Sequence, residues 1–199
     1  MEDTSVKSES DRLEWMLEES RKLSKLISVP DSTVLDIYKA KSDWEFILKI
    51  DALLEAAAKK VVKTNLTGSD RMRREKLEDF VEALPIRGRT SLLSLLKACG
   101  CPDEESELIE CVRRLRNGFA HDIVQINSSL VEVIKRRNDK SKLLKGLSYI
   151  AKYDEAELIQ MYEKEGGLLR FGIVHGTLVF LILAYHGAIK STARPVDAR

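Results

Sequence analysis

Three side chains near the middle of the chain suit the chemistry of phosphodiesters. Asn117 and His121 are four residues apart, so on a helix they share a face. Arg116 comes directly before Asn117 and lies about 100° round the axis from it. Histidine titrates near neutrality, so it can take a proton from a ribose 2′-hydroxyl or give one to the leaving oxygen. Arginine keeps its charge and offers a planar fork to phosphate, where it can stabilise the added negative charge of a pentacoordinate transition state. Asparagine can orient either group or bind a phosphate oxygen. This set calls for no metal and no cofactor.

The spacing of arginine, four residues, histidine is not discriminating, because it occurs twice, from Arg116 to His121 and from Arg170 to His175. The complete string Leu115-Arg116-Asn117-Gly118-Phe119-Ala120-His121 says more. It resembles the Leu-Arg-Asn-x-x-Ala-His form of the HEPN motif. The resemblance is sharp over 115–121 and extends in architecture over roughly residues 33–150. It implies a four- or five-helix bundle that pairs as a homodimer and brings two motifs into one cleft. It also implies a metal-independent endoribonuclease, a toxin or defence effector, with Arg116 and His121 as the catalytic pair and Asn117 assisting. RNA is then the expected substrate, and a neutralising antitoxin or a regulatory protein an expected partner. Inactive members of the superfamily imply the alternative, a non-catalytic dimeric module that binds RNA, a nucleotide or a protein. The bland reading of the same helix is an Arg116 paired with a neighbouring acid and a His121 capping the helix C-terminus. To meet the same phosphate as His121, Arg116 needs either a helix end near Gly118 or a second subunit.

Charge supports a polyanionic partner locally but not in bulk, since the net charge of the chain is +1. Residues 110–145 carry nine bases against four acids, a net of +5, whereas residues 1–20 carry seven acids against two bases. Arg113, Arg114, Lys135, Arg136 and Arg137 are therefore candidates for binding a phosphate backbone, against the plainer view that they are a solvated helix surface. Asp51 and Glu55, four apart in an earlier helix, are candidates for orienting Arg116 or His121 across the bundle, or simply form an ion pair.

The elements that must position these groups read as helices. Hydrophobic residues make up 44% of 199, with four prolines and ten glycines, enough for a core and few interruptions. The expected fold is all-α, an up-and-down bundle of HEPN type with additional N- and C-terminal helices. It forms one domain over 1–190, with closing helices over 154–190 and a frayed tail from 191. Apolar spacing predicts helices over about 9–28, 33–64, 70–83, 90–99 and 104–120. In the last of these, Leu108, Ile109, Val112, Leu115 and Phe119 form the buried side. A turn is expected over 65–69 and a connector over 122–127. Further helices follow over 128–137 and 140–150, and Gly166-Gly167 divides the final stretch.

Cys99, Cys101 and Cys111 cannot all pair with one another, and with His121 they do not match a usual zinc spacing. Small buried thiols are expected. No charged segment followed by an apolar stretch opens the chain, so the cytoplasm is the expected location. The 19 uncharged residues from Phe171 to Ile189 are just long enough to cross a bilayer, but they contain His175 and His186. A closing core or interface helix is the expectation, with membrane insertion the weaker alternative. The sequence has no Walker loop, dinucleotide fingerprint, zincin motif or serine-hydrolase elbow.

Overall fold

Long apolar stripes at helical spacing, with few glycines or prolines to break them, produce an all-α protein. In the computed structural model every regular element among the described residues is helical. The structure describes residues 29–66, 71–121, 123–148 and 153–192, with Asp11, Glu14, Trp15, Leu17, Glu18 and Arg21 from the preceding stretch. Its account of side chains leaves out 71–75, 123–124 and 184–192. The helix expected over 9–28, the turn over 65–69 and the tail from 191 thus lie largely outside it, and the described residues 65–66 and 191–192 are helical.

One expected helix is two. In place of a single helix over 33–64 the chain forms α1 (Thr33–Tyr38) and α2 (Asp43–Leu66). The break follows from a capping sequence, Ser42-Asp43-Trp44-Glu45. Ser42 Oγ accepts the Glu45 backbone N–H at 3.1 Å, and the Glu45 carboxylate reaches back to the N–H of Lys41 at 2.9 Å. Apolar positions continue across the break, so periodicity alone runs the two together. Then follow α3 (Arg71–Ala83), α4 (Leu92–Ala98), α5 (Asp103–His121), a 3-10 turn (Ile123–Asn127), α6 (Leu130–Lys135), α7 (Lys140–Leu147), α8 (Glu155–Lys164) and α9 (Leu168–Thr192). Ser129 and Asp154 start α6 and α8 with complete capping boxes. α6 ends two residues before its expected limit, which leaves Arg136 and Arg137 in the loop. α9 runs through Ser191, where fraying was expected.

α2 is the axis of the bundle, with α1, α3, α4, α5 and α9 packed around it. Its Phe46, Ile47, Ile50 and Val62 are sealed from solvent, as are Leu108, Val112 and Leu115 of α5. α7 crosses α5 closely at Gly146, where a Cβ would stand 2.6 Å from Cys111 Sγ, so the approach depends on glycine. The chain turns by 109° between α8 and α9. Among the described residues no single helix is long and apolar enough to cross a membrane. The described part of α9 packs into the core through Leu169, Ile173, Val174 and Leu178.

Candidate active site on the last turns of α5

Three acids in the first turn of α5, Asp103, Glu104 and Glu105, suit the positive end of the helix dipole. Behind them the stripe Leu108, Ile109, Val112, Leu115 and Phe119 is buried, as the sequence pattern requires. That stripe sets the rotation of the helix and so the direction of every polar side chain in the motif. Arg113 and Arg116 turn toward α2, and Arg114 and Gly118 toward the loop between α6 and α7.

On the α2 side Asp51 is buried and receives both arginines. Arg113 donates Nη1–H to Asp51 Oδ2, and Arg116 Nε lies 4.0 Å from the same oxygen. Arg113 also reaches Glu55 at 3.4 Å. Burial pushes the Asp51 carboxyl above its ordinary value of 3.8, against the pull of Arg113 and Arg116. Arg116 donates to Asn117 Oδ1 at 3.1 Å, and its side chain keeps 40% of its surface exposed. Asp51 and Glu55 therefore do contact the motif helix: Asp51 meets both arginines, and Glu55 meets Arg113 alone. Glu55 also binds Lys59 at 3.0 Å, and Lys59 and Lys63 bind Glu82 of α3 at 3.2 and 2.6 Å. An open groove of about 400 Å³ runs beside this ladder, lined by Ala52, Glu55, Ala56, Lys59, Lys60 and Lys63.

On the other side Arg114 donates to Glu110 at 2.6 Å and to Asp139 at 3.1 Å. Arg137 grips the same Asp139 with two bonds, Nε at 2.7 Å and Nη2 at 3.0 Å. These contacts hold the Asp139 carboxyl at about 2, chiefly through Arg137. Lys135 pairs with Glu163 of α8 at 2.5 Å, and Arg136 is exposed. Four of the five candidate phosphate-binding bases, Arg113, Arg114, Lys135 and Arg137, thus already hold carboxylates of their own fold. Asp139 and Gly118 acquire their roles here only in the folded chain. A short acid in a loop and an unassigned motif position carry no signal until the loop is seen against α5.

His121 is the last residue of α5 and is exposed. The helix does not end near Gly118, so Arg116 and His121 sit about 140° apart round a continuous axis. Asn117 lies between them in projection, about 40° from His121.

The second arginine–histidine pair is structural. Arg170 donates to Asp43 at 2.5 Å and to the carbonyls of Tyr38 and Ala40 at 3.3 and 2.7 Å, and it packs over the Phe46 ring. It occupies backbone acceptors left open by the break between α1 and α2. His175 is half-buried against Trp15 and Phe171, and burial lowers its pKa. Of the three cysteines expected to be buried, only Cys111 is, whereas Cys99 and Cys101 stay partly exposed. Burial pushes the Cys111 thiol up to about 12, and its Sγ contacts the Lys142 carbonyl. No group of three or more metal-ligating side chains occurs among the described residues.

Fold and site together define an all-helical protein whose polar cluster of arginine, asparagine and histidine closes one long amphipathic helix. No family model, curated protein or solved structure matches the chain.

Proposed function

We propose that this chain is a HEPN-type, metal-independent endoribonuclease acting as a homodimer. One observation carries the reading. Within the string 115–121, the apolar Leu115 and Phe119 are sealed in the core, while Arg116, Asn117 and His121 remain open to solvent and Asp51 and Asn117 steady Arg116. A purely structural arginine at this position would be mostly covered and paired, as Arg170 is, with only 18% of its side chain exposed against 40% for Arg116.

In the reaction His121 takes the proton from a ribose 2′-hydroxyl, and that oxygen attacks the adjacent phosphorus. The bond to the 5′ oxygen breaks, and that oxygen takes up a proton from water as it leaves. The products are a 2′,3′-cyclic phosphate and a 5′-hydroxyl. Arg116 stabilises the charge that builds on the non-bridging oxygens, and Asn117 orients the phosphate. With about 140° between Arg116 and His121, one motif does not close on a single phosphate, but motifs from two copies facing across a two-fold axis do.

Cellular RNA treated with the protein in excess chelator should be cut to the stated end groups. Arg116→Ala and His121→Ala should each lower the rate by about a hundredfold or more. Mixing the two inactive variants should recover part of the activity, because one site of each mixed dimer is intact. Cleavage that persists in both single variants would overturn the assignment.

A second reading has its own support. The carboxylate partners of Arg113, Arg114, Lys135 and Arg137 suit a bundle whose basic residues serve the fold, with the motif face holding a ligand without cutting it. RNA binding without cleavage, unchanged by His121→Ala, would favour that module.

A further inference from the structure

We infer that Arg137 is a second phosphate-binding arginine of this site, admitted to His121's side of α5 by Gly118 and held there by Asp139. The inference rests on the ribonuclease reading and adds a substrate contact that the motif does not contain.

Gly118 is three residues before His121, about 60° round the axis, and Cβ positions so related are about 5–6 Å apart. A Cβ at Gly118 would stand 3.2 Å from Arg137 Nη1. The guanidinium therefore fills the space that a side chain at Gly118 would take, one turn of helix from His121. Its other edge is fixed, since Nε and Nη2 both bind Asp139 at 2.7 and 3.0 Å. Asp139 is itself held by Arg114, which Glu110 anchors, and Arg87 grips the same Glu110 oxygen at 2.6 Å. The chain of contacts immobilises Arg137 from behind, while its Nη1 has no hydrogen-bond partner among the described residues. A rigid fork with an unused donor edge is the arrangement that suits a phosphate oxygen.

The motif arginine does not occupy this position. Arg116 turns toward Asp51, on the far side of the helix from Gly118 and His121. Within one copy, two guanidiniums lie on the histidine's side, Arg114, which is tied to Glu110 and Asp139, and Arg137, whose Nη1 faces Gly118. Arg114 and Asp139 are then positioning residues, and Arg136, exposed beside Arg137, extends the positive surface along the strand path.

The probe is a degenerate single-stranded 2′-O-methyl RNA 12-mer, which cannot be cut, with binding read by fluorescence anisotropy over a salt series. Arg137→Ala should weaken binding about tenfold and flatten the salt dependence by about one counterion. Arg137→Lys should recover only part, because an ammonium cannot hold Asp139 with one edge and phosphate with the other. Gly118→Leu should weaken binding to a similar degree with every charge in place, which tests the placement without removing the arginine. On the cleavable RNA, Arg137→Ala should raise KM more than it lowers kcat, whereas His121→Ala should act on kcat. Wild-type binding by Arg137→Ala and Gly118→Leu, alongside an inactive His121→Ala, would overturn this inference and leave the ribonuclease reading standing. Failure of the wild-type chain to bind or cut RNA would overturn both.

Discussion

Asp139 and Asp51 show opposite ways of using a carboxylate beside α5. Asp139 lies near the surface and holds two guanidiniums, so its folded pKa falls from 3.8 to about 2. A depressed carboxylate pKa stabilises the fold above the unfolded value, and that contribution is lost as pH falls through the folded value. Asp139→Asn should therefore cost about 1–2 kcal/mol at neutral pH, and its deficit against wild type should shrink between about pH 4 and pH 2. Urea unfolding across that range measures it. A constant deficit at all pH values would show that the amide disturbs packing instead. Asp51 is buried, and its pKa is raised. Its sign is reversed: the fold favours the protonated form, and stability is lost as pH rises from the unfolded toward the folded value. The pair Asp51 and Glu55 was legible from i, i+4 spacing. Asp139 was not, because its partners Arg114 and Arg137 lie on two different elements.

Among the elements, α5 was the most legible because its apolar stripe is continuous, and every residue of that stripe is buried, joined by Glu105, Ser106 and Cys111. The two halves of the expected 33–64 helix show the opposite. Ile37, Trp44 and Ile47 keep helical spacing through a break made by Ser42 and Glu45, so capping chemistry overrides period there. The close crossing of α7 over α5 is a property of a pair of elements. A Cβ at Gly146 would meet Cys111 Sγ at 2.6 Å and Glu107 Cγ at 3.0 Å. Gly146→Ala should therefore destabilise by about 2 kcal/mol despite alanine's better helix propensity, lowering Tm by about 4–8 °C. Thermal unfolding followed by circular dichroism checks this, and an unchanged or higher Tm would mean that the two helices part without cost.

At the scale of the whole molecule, Asp43 and Arg170 tie distant parts of the chain together. Asp43 opens α2, accepts the Leu130 N–H at the start of α6 at 2.6 Å, and pairs with Arg170 of α9. Arg170 then reaches the carbonyls that close α1. Arg170→Ala leaves a half-buried carboxylate without its cation and should cost about 2–4 kcal/mol in chemical denaturation. RNA cleavage, assayed well below the lowered Tm, should be unaffected. Loss of cleavage with an intact fold would instead place the second arginine–histidine pair in the chemistry.

The sequence by itself determined that the protein is helical, which face of α5 is buried, and that Arg116, Asn117 and His121 lie on its open side, because helical period and side-chain polarity are local properties. It did not determine which of two equally spaced arginine–histidine pairs is exposed. It also left open which bases are tied to acids, and that Arg137 lies against Gly118. Those outcomes depend largely on contacts between residues far apart in the chain, such as Gly118 with Arg137 and Arg170 with Tyr38. Only packing around α2 brings such residues together, and burial and charge pairing then separate a clamp from a site.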